Sequence, residues 1–281
     1  VGWMSIFVVA PIIIMVVYAF STAAGDFTLE NFARMGTYTA VFTRSFKLAI
    51  IATLIALLIG YPVSYMLSKE GPQVQRIAMV LIMLPMWMNF LLRTYSWMSI
   101  LENNGLLNQL FQQIGLIDLY NQIAMHFASD PAAYVPIDHF QMIGTQGAVV
   151  LGMVYNYLPF MILPIYSVLV KLDHSLIEAA RDLGASSVQV FRKVILPLSL
   201  PGVLSAITMV FVPSVSTFAI SRLLGGGTQM MLGDLIEQQF LGGAYNPQLG
   251  AAIALVMMAI VVVCMLVMNR FGDGEEQAVM L

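Results

Sequence analysis

Three carboxylates stand at the edges of long apolar runs in this chain: Glu102 in SILENNG, and Asp234 and Glu237 in MLGDLIEQQF. Five aromatic residues, Trp87, Tyr95, Trp97, Tyr155 and Tyr157, fall within or beside such runs. A carboxylate attracts a cation by charge, and an aromatic face adds about 0.5–2 kcal/mol. Together these residues could line a route for a cationic molecule. The same residue types also serve as solvated interfacial charges and as aromatic belts at membrane–water boundaries. Arg93 and Arg222 would repel a cation and read as anchors reaching for the membrane surface.

Groups that could break bonds are wanting. The histidines at 126, 139 and 174 lie outside the apolar runs, and no H-E-x-x-H occurs. Gly184-Ala185-Ser186 has the G-x-S form of an intramembrane serine protease but sits in a polar linker. No G-x-x-x-x-G-K-[ST] is present, and Gly225-Gly226-Gly227 lacks the following lysine. ATP and its Mg are therefore not expected to bind this chain, and no cofactor is expected here. The single cysteine, Cys264, excludes a disulfide framework or cysteine metal site and reads as a small buried hydrophobe.

The elements that must position these groups are set by composition. Of 281 residues, 59% are hydrophobic and 10% charged, with a mean hydropathy of +0.86. Soluble domains carry about 25% charged residues, so the bilayer is the expected solvent. A net charge of −3 without basic blocks points away from nucleic acid. A spanning helix needs about 20 mostly apolar residues. Six segments qualify: 1–21, 46–67, 77–101, 147–170, 198–224 and 249–269. The first is too long for a signal-peptide core, and because the sequence opens on Val1, residues are expected to precede it. Pro62, Pro85, Pro159, Pro164 and Pro213 punctuate the spans and invite bends.

Basic residues orient the spans, although Arg34, Arg44 and Lys47 flank the first outer loop and weaken the pattern without reversing it. Lys69 and Arg76 follow the second, Lys171, Arg181, Arg192 and Lys193 follow the fourth, and Arg270 follows the sixth. Between Arg93 and Lys171 there is no Lys or Arg, and that stretch holds the polar segment 102–146 with Asp118, Asp130 and Asp138. Loop 225–248 also lacks basic residues. Positive residues concentrate on the cytoplasmic side. The expectation is an all-α membrane protein, one transmembrane domain over 1–281, with six spans, and with both termini and loop 171–197 in the cytoplasm.

That loop reads as two short helices around a bend. Ser175-Leu-Ile-Glu178 fits a capping box with Ser175 as N-cap. Leu176, Ala180 and Leu183 then share one face, with Glu178, Arg181 and Asp182 on the other. Gly184 supplies the stop. Ser186 or Ser187 can cap a second helix with Val188, Phe191 and Ile195 on its apolar face, ended by Pro197.

Glu178-Ala179-Ala180, three residues, Gly184, nine residues, then Val194-x-Leu196-Pro197 resembles the EAA loop of ABC importer permeases, with Val194 where that family has isoleucine. GYPVSYMLS, LPMWMNFLLRTYSWMSILENNGLLN, VYNYLPFMILPIYSVLVKLD and LPLSLPG further resemble permease subunits of spermidine/putrescine-type importers. The resemblance implies a type I importer fold whose coupling loop docks on a separate ATPase. Glu178 and Arg181 would then make polar contacts there, Ala179 and Ala180 would allow close approach, and Gly184 would set the bend before Leu196 and Pro197. It implies two ATPase subunits, a second permease subunit, an external binding protein and a bacterial inner membrane. Polyamines are the implied substrate, with ferric iron, thiamine or sulfate importers as the alternative on the same fold. A secondary transporter is a weaker rival, because the span centres hold almost no ionisable residues. Segment 118–146 looks longer than the family's usual outer connection.

Overall fold

The computed structural model describes residues 3, 5–127, 134–243 and 245–279; Val1 and Asp130 lie outside them. Helices make up the ordered structure, and among the described residues the only β feature is an isolated bridge between Ser21 and Phe27. In chain order they are α1 (Ala10–Ala19), α2 (Glu30–Arg34), α3 (Thr39–Ser68), α4 (Pro72–Trp87), α5 (Phe90–Leu101), α6 (Leu106–Gln113) and α7 (Leu116–Phe127). There follow α8 (Gln146–Leu169), α9 (His174–Asp182), α10 (Ser187–Val190), α11 (Leu196–Ser216), α12 (Ala219–Leu224), α13 (Leu232–Leu241) and α14 (Pro247–Val279).

The centre is a three-helix seam of α3, α8 and α11. On α3, Ala52, Ala56, Gly60 and Ser64 recur every fourth residue and are buried. Small side chains at that spacing let helix backbones approach, which is how apolar helices associate where lipid supplies no hydrophobic contrast. A Cβ on Gly60 would stand 2.8 Å from Met161 Cγ, and one on Gly202 would stand 2.9 Å from Val168 Cγ2. Hydroxyls join the same seam: Ser64 donates to the Ile162 carbonyl at 3.0 Å, and Tyr61 shares a 2.8 Å hydrogen bond with Ser199. Beside the seam, α14 packs on α1, α13 and α11, where half-buried Cys264 joins a cluster with Phe211 and Leu249.

Among the described residues four helical stretches are long and apolar enough to cross a membrane, and Pro72–Trp87 with Phe90–Gln113 makes a sharply bent pair that counts as a fifth if it is one span. The expected third span, 77–101, is bent by 89°. Pro85 removes a backbone donor in the last turn of α4, Met88 turns extended, and the Asn89 carboxamide caps α5 by accepting from Leu91 N–H at 2.8 Å. The expected fifth span, 198–224, ends at Ser216, because Thr217 is extended and α12 starts afresh at Ala219. The first apolar run yields the shorter helix Ile6–Ala19. Pro62, Pro159, Pro164 and Pro213 remain inside continuous helices.

The described parts of segment 102–146 are held together by side-chain-to-backbone pairing. Asn108 donates to the Phe140 carbonyl and accepts from its N–H, both at 3.0 Å. Asn121 likewise brackets the backbone of Ile137 at 2.9 Å. The two asparagines pair with the returning chain as another strand would, while Phe111 and Tyr120 meet the Phe140 ring edge-on.

Candidate functional site

Linker 171–197 folds as a compact elbow. Asp173, not Ser175, caps α9: its carboxylate accepts from Ser175 N–H at 2.9 Å. An anionic acceptor is favoured at the positive end of a helix. At the other end Gly184 has φ +79°. Gly184 N–H donates to the Arg181 carbonyl at 2.8 Å and Ala185 N–H to that of Ala180 at 3.1 Å, the paired bonds of a Schellman stop. Ser186 caps α10 in a reciprocal box with Gln189.

The side of α9 that packs inward carries Ile177 and Ala180. The expected stripe Leu176–Ala180–Leu183 is therefore rotated: Leu176 is 48% exposed and Leu183 89%. On the second helix Val190, Phe191 and Ile195 turn inward, Phe191 edge-on to Tyr61 and Tyr65, while Val188 stays 67% exposed. Glu178 and Ala179 lie on the exposed surface. Arg181 lines a cavity of about 360 Å³ between the elbow and the ends of α3 and α8.

Pro197 does not end the second helix. Residues Phe191–Ile195 form a π turn in which Leu196 N–H bonds the Phe191 carbonyl five residues back. Widening the turn accommodates Pro197, which lacks a donor and crowds the carbonyl four residues before it. One continuous helix thus runs from Ser187 to Ser216, 30 residues, roughly 45 Å at 1.5 Å per residue. Leu196 and Pro197 lie on this rod, partly exposed.

At the far end of the rod the candidate carboxylates meet an unanticipated partner. Arg222 forks onto Glu237, with Nη1 to Oε1 at 3.1 Å and Nη2 to Oε2, and lies 3.7 Å from Asp234. Asp234 also accepts from the Ser221 hydroxyl and, at 3.2 Å, from Met231 N–H. Burial pushes its carboxyl above the usual carboxylate range, while Ser221, Met231 and the Arg222 charge pull it back. Two of the three carboxylates expected on a cation route are thus already engaged by Arg222, which offsets one of their two charges and is their counter-ion rather than a free anchor. Glu102 is exposed and takes no ion pair among the described residues. Of the aromatics, Trp97 stands edge-on to Tyr155 with centroids 5.3 Å apart, and Tyr157 reaches the Pro213 carbonyl at 3.4 Å. Trp87 and Tyr95 are exposed and do not join them.

Arg93 was expected to reach the membrane surface; it is 8% exposed, and its Nε and Nη1 have no acceptor. The bend before α5 lays this helix against α8 and α12, shutting the guanidinium in. Nothing in local sequence distinguishes such an arginine from a surface anchor. The Ser221–Asp234 pairing was equally hidden, although an acid thirteen residues beyond a serine on a short helix leaves no periodic trace.

Known proteins share this architecture. The family model described as binding-protein-dependent transport system inner membrane component matches residues 56–274. The spermidine/putrescine transport system permease protein PotB of Haemophilus influenzae is 35% identical, covering 93% of this chain and 88% of that protein. The Escherichia coli protein of the same name is 34% identical over 96% and 94%. Among solved structures, a bacterial ABC transporter involved in alginate import superposes with a TM-score of 0.75 at 15% identity, covering 96% of this chain and 91% of that one. The MetNI methionine transporter, captured in inward-facing conformations, gives 0.59 at 18% identity, covering 86% and 98%. Those two similarities establish the fold, and the family match with the sequence relatives carries the rest: this chain belongs to the binding-protein-dependent transport system inner membrane components and is a permease subunit of an ABC importer.

Proposed function

We propose that the chain forms one half of a translocation pathway for polyamines, with six membrane crossings, both termini in the cytoplasm, and the 171–197 elbow docked on a separate ATPase. The observation that carries the docking is the trio Leu176, Leu183 and Val188, exposed on an elbow whose Ile177, Val190, Phe191 and Ile195 are packed inward. Full burial is worth about 1.5–3 kcal/mol per aliphatic side chain. An apolar knob flanked by Glu178 suits a groove with a polar rim. Two ATPase copies, a second permease subunit and an external binding protein complete the machine.

The rod supplies the transmission. A push on α9 and α10 moves the Ser187–Ser216 helix as one body and is delivered at the Thr217 break, beside the Arg222–Asp234–Glu237 cluster. Such tilting between two packings is the logic of alternating access. The names of the relatives, at 34–35% identity over more than nine-tenths of the chain, support spermidine or putrescine as cargo. Because Asp234 and Glu237 are ion-paired, recognition of the cation is assigned mainly to the external protein, leaving Glu102 and the Trp97–Tyr155 pair to the pathway. The test is uptake of radiolabelled spermidine and putrescine by proteoliposomes holding all the subunits. ATP-dependent accumulation is expected. Transport of another solute with neither polyamine, or polyamine uptake without ATP, would overturn the reading.

A further inference from the structure

We infer that the cavity behind the elbow is a binding site for a phosphate monoester or diester, tying α9 to the end of α3. Its polar wall is Lys69, Arg181, Ser68 and Ser187, and Ile177, Val190 and Ile195 form the apolar floor. No carboxylate lines it, and among the described residues neither Lys69 nor Arg181 takes part in an ion pair. Both residues are solvent-exposed and line the same cavity of about 360 Å³, where an incoming anion would meet two positive charges and no carboxylate.

Backbone carbonyls beside the cavity already hold partners of their own. The carbonyls closing α3 take Lys69 N–H (Met66, 3.1 Å), Glu70 N–H (Leu67, 3.2 Å) and the Ser68 hydroxyl (Tyr65, 2.9 Å). Those closing α8 take Lys171 N–H (Val168, 3.1 Å) and Leu172 N–H (Leu169, 3.3 Å). Lys69 is also held in place, its Nζ 3.8 Å from the centre of the Tyr65 ring. A guanidinium, an ammonium and hydroxyls around one hole match the oxygens of a phosphate. An apolar floor at the end of membrane helices suits a phosphate carrying an aliphatic tail. The same headgroup chemistry could arrive as an anionic phospholipid or as a soluble phosphorylated molecule. The site rests on this packing and is independent of the coupling reading.

The intact transporter is assembled in nanodiscs of phosphatidylcholine with or without phosphatidylglycerol. Lipid retained after detergent extraction is read by native mass spectrometry, and amide exchange is read across residues 174–190. Wild type is expected to retain phosphatidylglycerol at least tenfold more tightly than Lys69→Gln, with Lys69→Arg close to wild type, and exchange in 174–190 should slow when the lipid is bound. Glycerol 1-phosphate and inorganic phosphate are titrated into the phosphatidylcholine discs. Lys69-dependent binding of either assigns the site to a soluble ligand, whereas retention of the diacyl lipid alone assigns it to the membrane. Equal retention by Lys69→Gln, no preference over phosphatidylcholine with no phosphate binding, or unchanged exchange on binding would each overturn the inference.

Discussion

Replacing Gly184 isolates the elbow from everything else in the chain. Its φ is +79°, and a Cβ built there meets nothing within 4 Å. The cost of Gly184→Ala is therefore pure backbone strain, with no crowding to add: about 1–2 kcal/mol for an L-residue in the left-handed region. That strain multiplies the open fraction of the elbow roughly 5- to 30-fold. Asn, which tolerates this region, should fall between Gly and Ala. Gly184→Pro should be worst. Its ring fixes φ near −65°, and it loses the N–H that donates to Arg181 at 2.8 Å, which costs roughly a further 0.5–1.5 kcal/mol.

The assay is amide exchange in the assembled transporter, comparing residues 174–190 with the α3–α8 seam, alongside ATPase stimulation by the external binding protein. Exchange should accelerate in the elbow in the order Gly, Asn, Ala, Pro, while seam peptides stay at wild-type rates. Stimulation should fall in the same order if the elbow transmits the stroke. Identical elbow exchange in wild type and Gly184→Ala would refute the strain argument. Equal acceleration in the seam would show that the elbow does not open independently. Graded opening with unchanged stimulation would leave the strain argument intact and sink the coupling reading.

Gly202→Ala should lower the melting temperature by an amount equivalent to about 1–3 kcal/mol, because its Cβ would lie 3.0 Å from the Pro164 carbonyl oxygen, a backbone atom unable to step aside. Gly36→Ala, with nothing within 4 Å, is the control and should be neutral in the same melt. Asp234 has a folded-state pKa raised by burial above the usual value of 3.8, so its protonated form is the one folding favours. Stability should accordingly decline as pH rises from about 4 through that raised value, and thermal unfolding of Asp234→Asn should lack this slope.

Local chemistry made the elbow readable before its structure. Gly184 and Ser186 announce themselves because a left-handed stop and a hydroxyl N-cap each depend on a few consecutive residues. Which stripe of α9 packs inward does not. Leu176–Ala180–Leu183 and Ile177–Ala180 are neighbouring stripes on one short helix, and the decision lies with α3, α8 and the Phe191 ring. Hydropathy, which counts apolar residues but is blind to backbone breaks, located four of the six expected spans as long apolar helices. Met88 and Thr217 turn extended inside runs whose average stays apolar. Asn89, four residues after Pro85, was the available signal for the first break, since an asparagine ahead of a new apolar run is a helix cap. Asn108 and Asn121 gave no such sign, because a side chain that pairs with backbone 16 or 32 residues away has no local pattern.

The paired acids alter where selectivity for a cation can reside. An open carboxylate at the outer end would hold a polyamine by charge, and the deeper the well, the slower the release into the pathway. Arg222 makes that well shallower by offsetting one of the two negative charges: it forks onto Glu237 and stands near Asp234, at a guanidinium that is itself 47% exposed. The exposed Arg222–Glu237 pair contributes about 0–1 kcal/mol, too little to be retained for stability alone. It does fix α12 against α13 next to the Thr217 break, where the long rod ends. On the proposed mechanism that is the point where a movement begun at the elbow must be passed to the outer side. A charge cluster weak enough to repartner and placed at a hinge can close a gate without binding the cargo, so long as affinity for the cargo is carried by a separate protein.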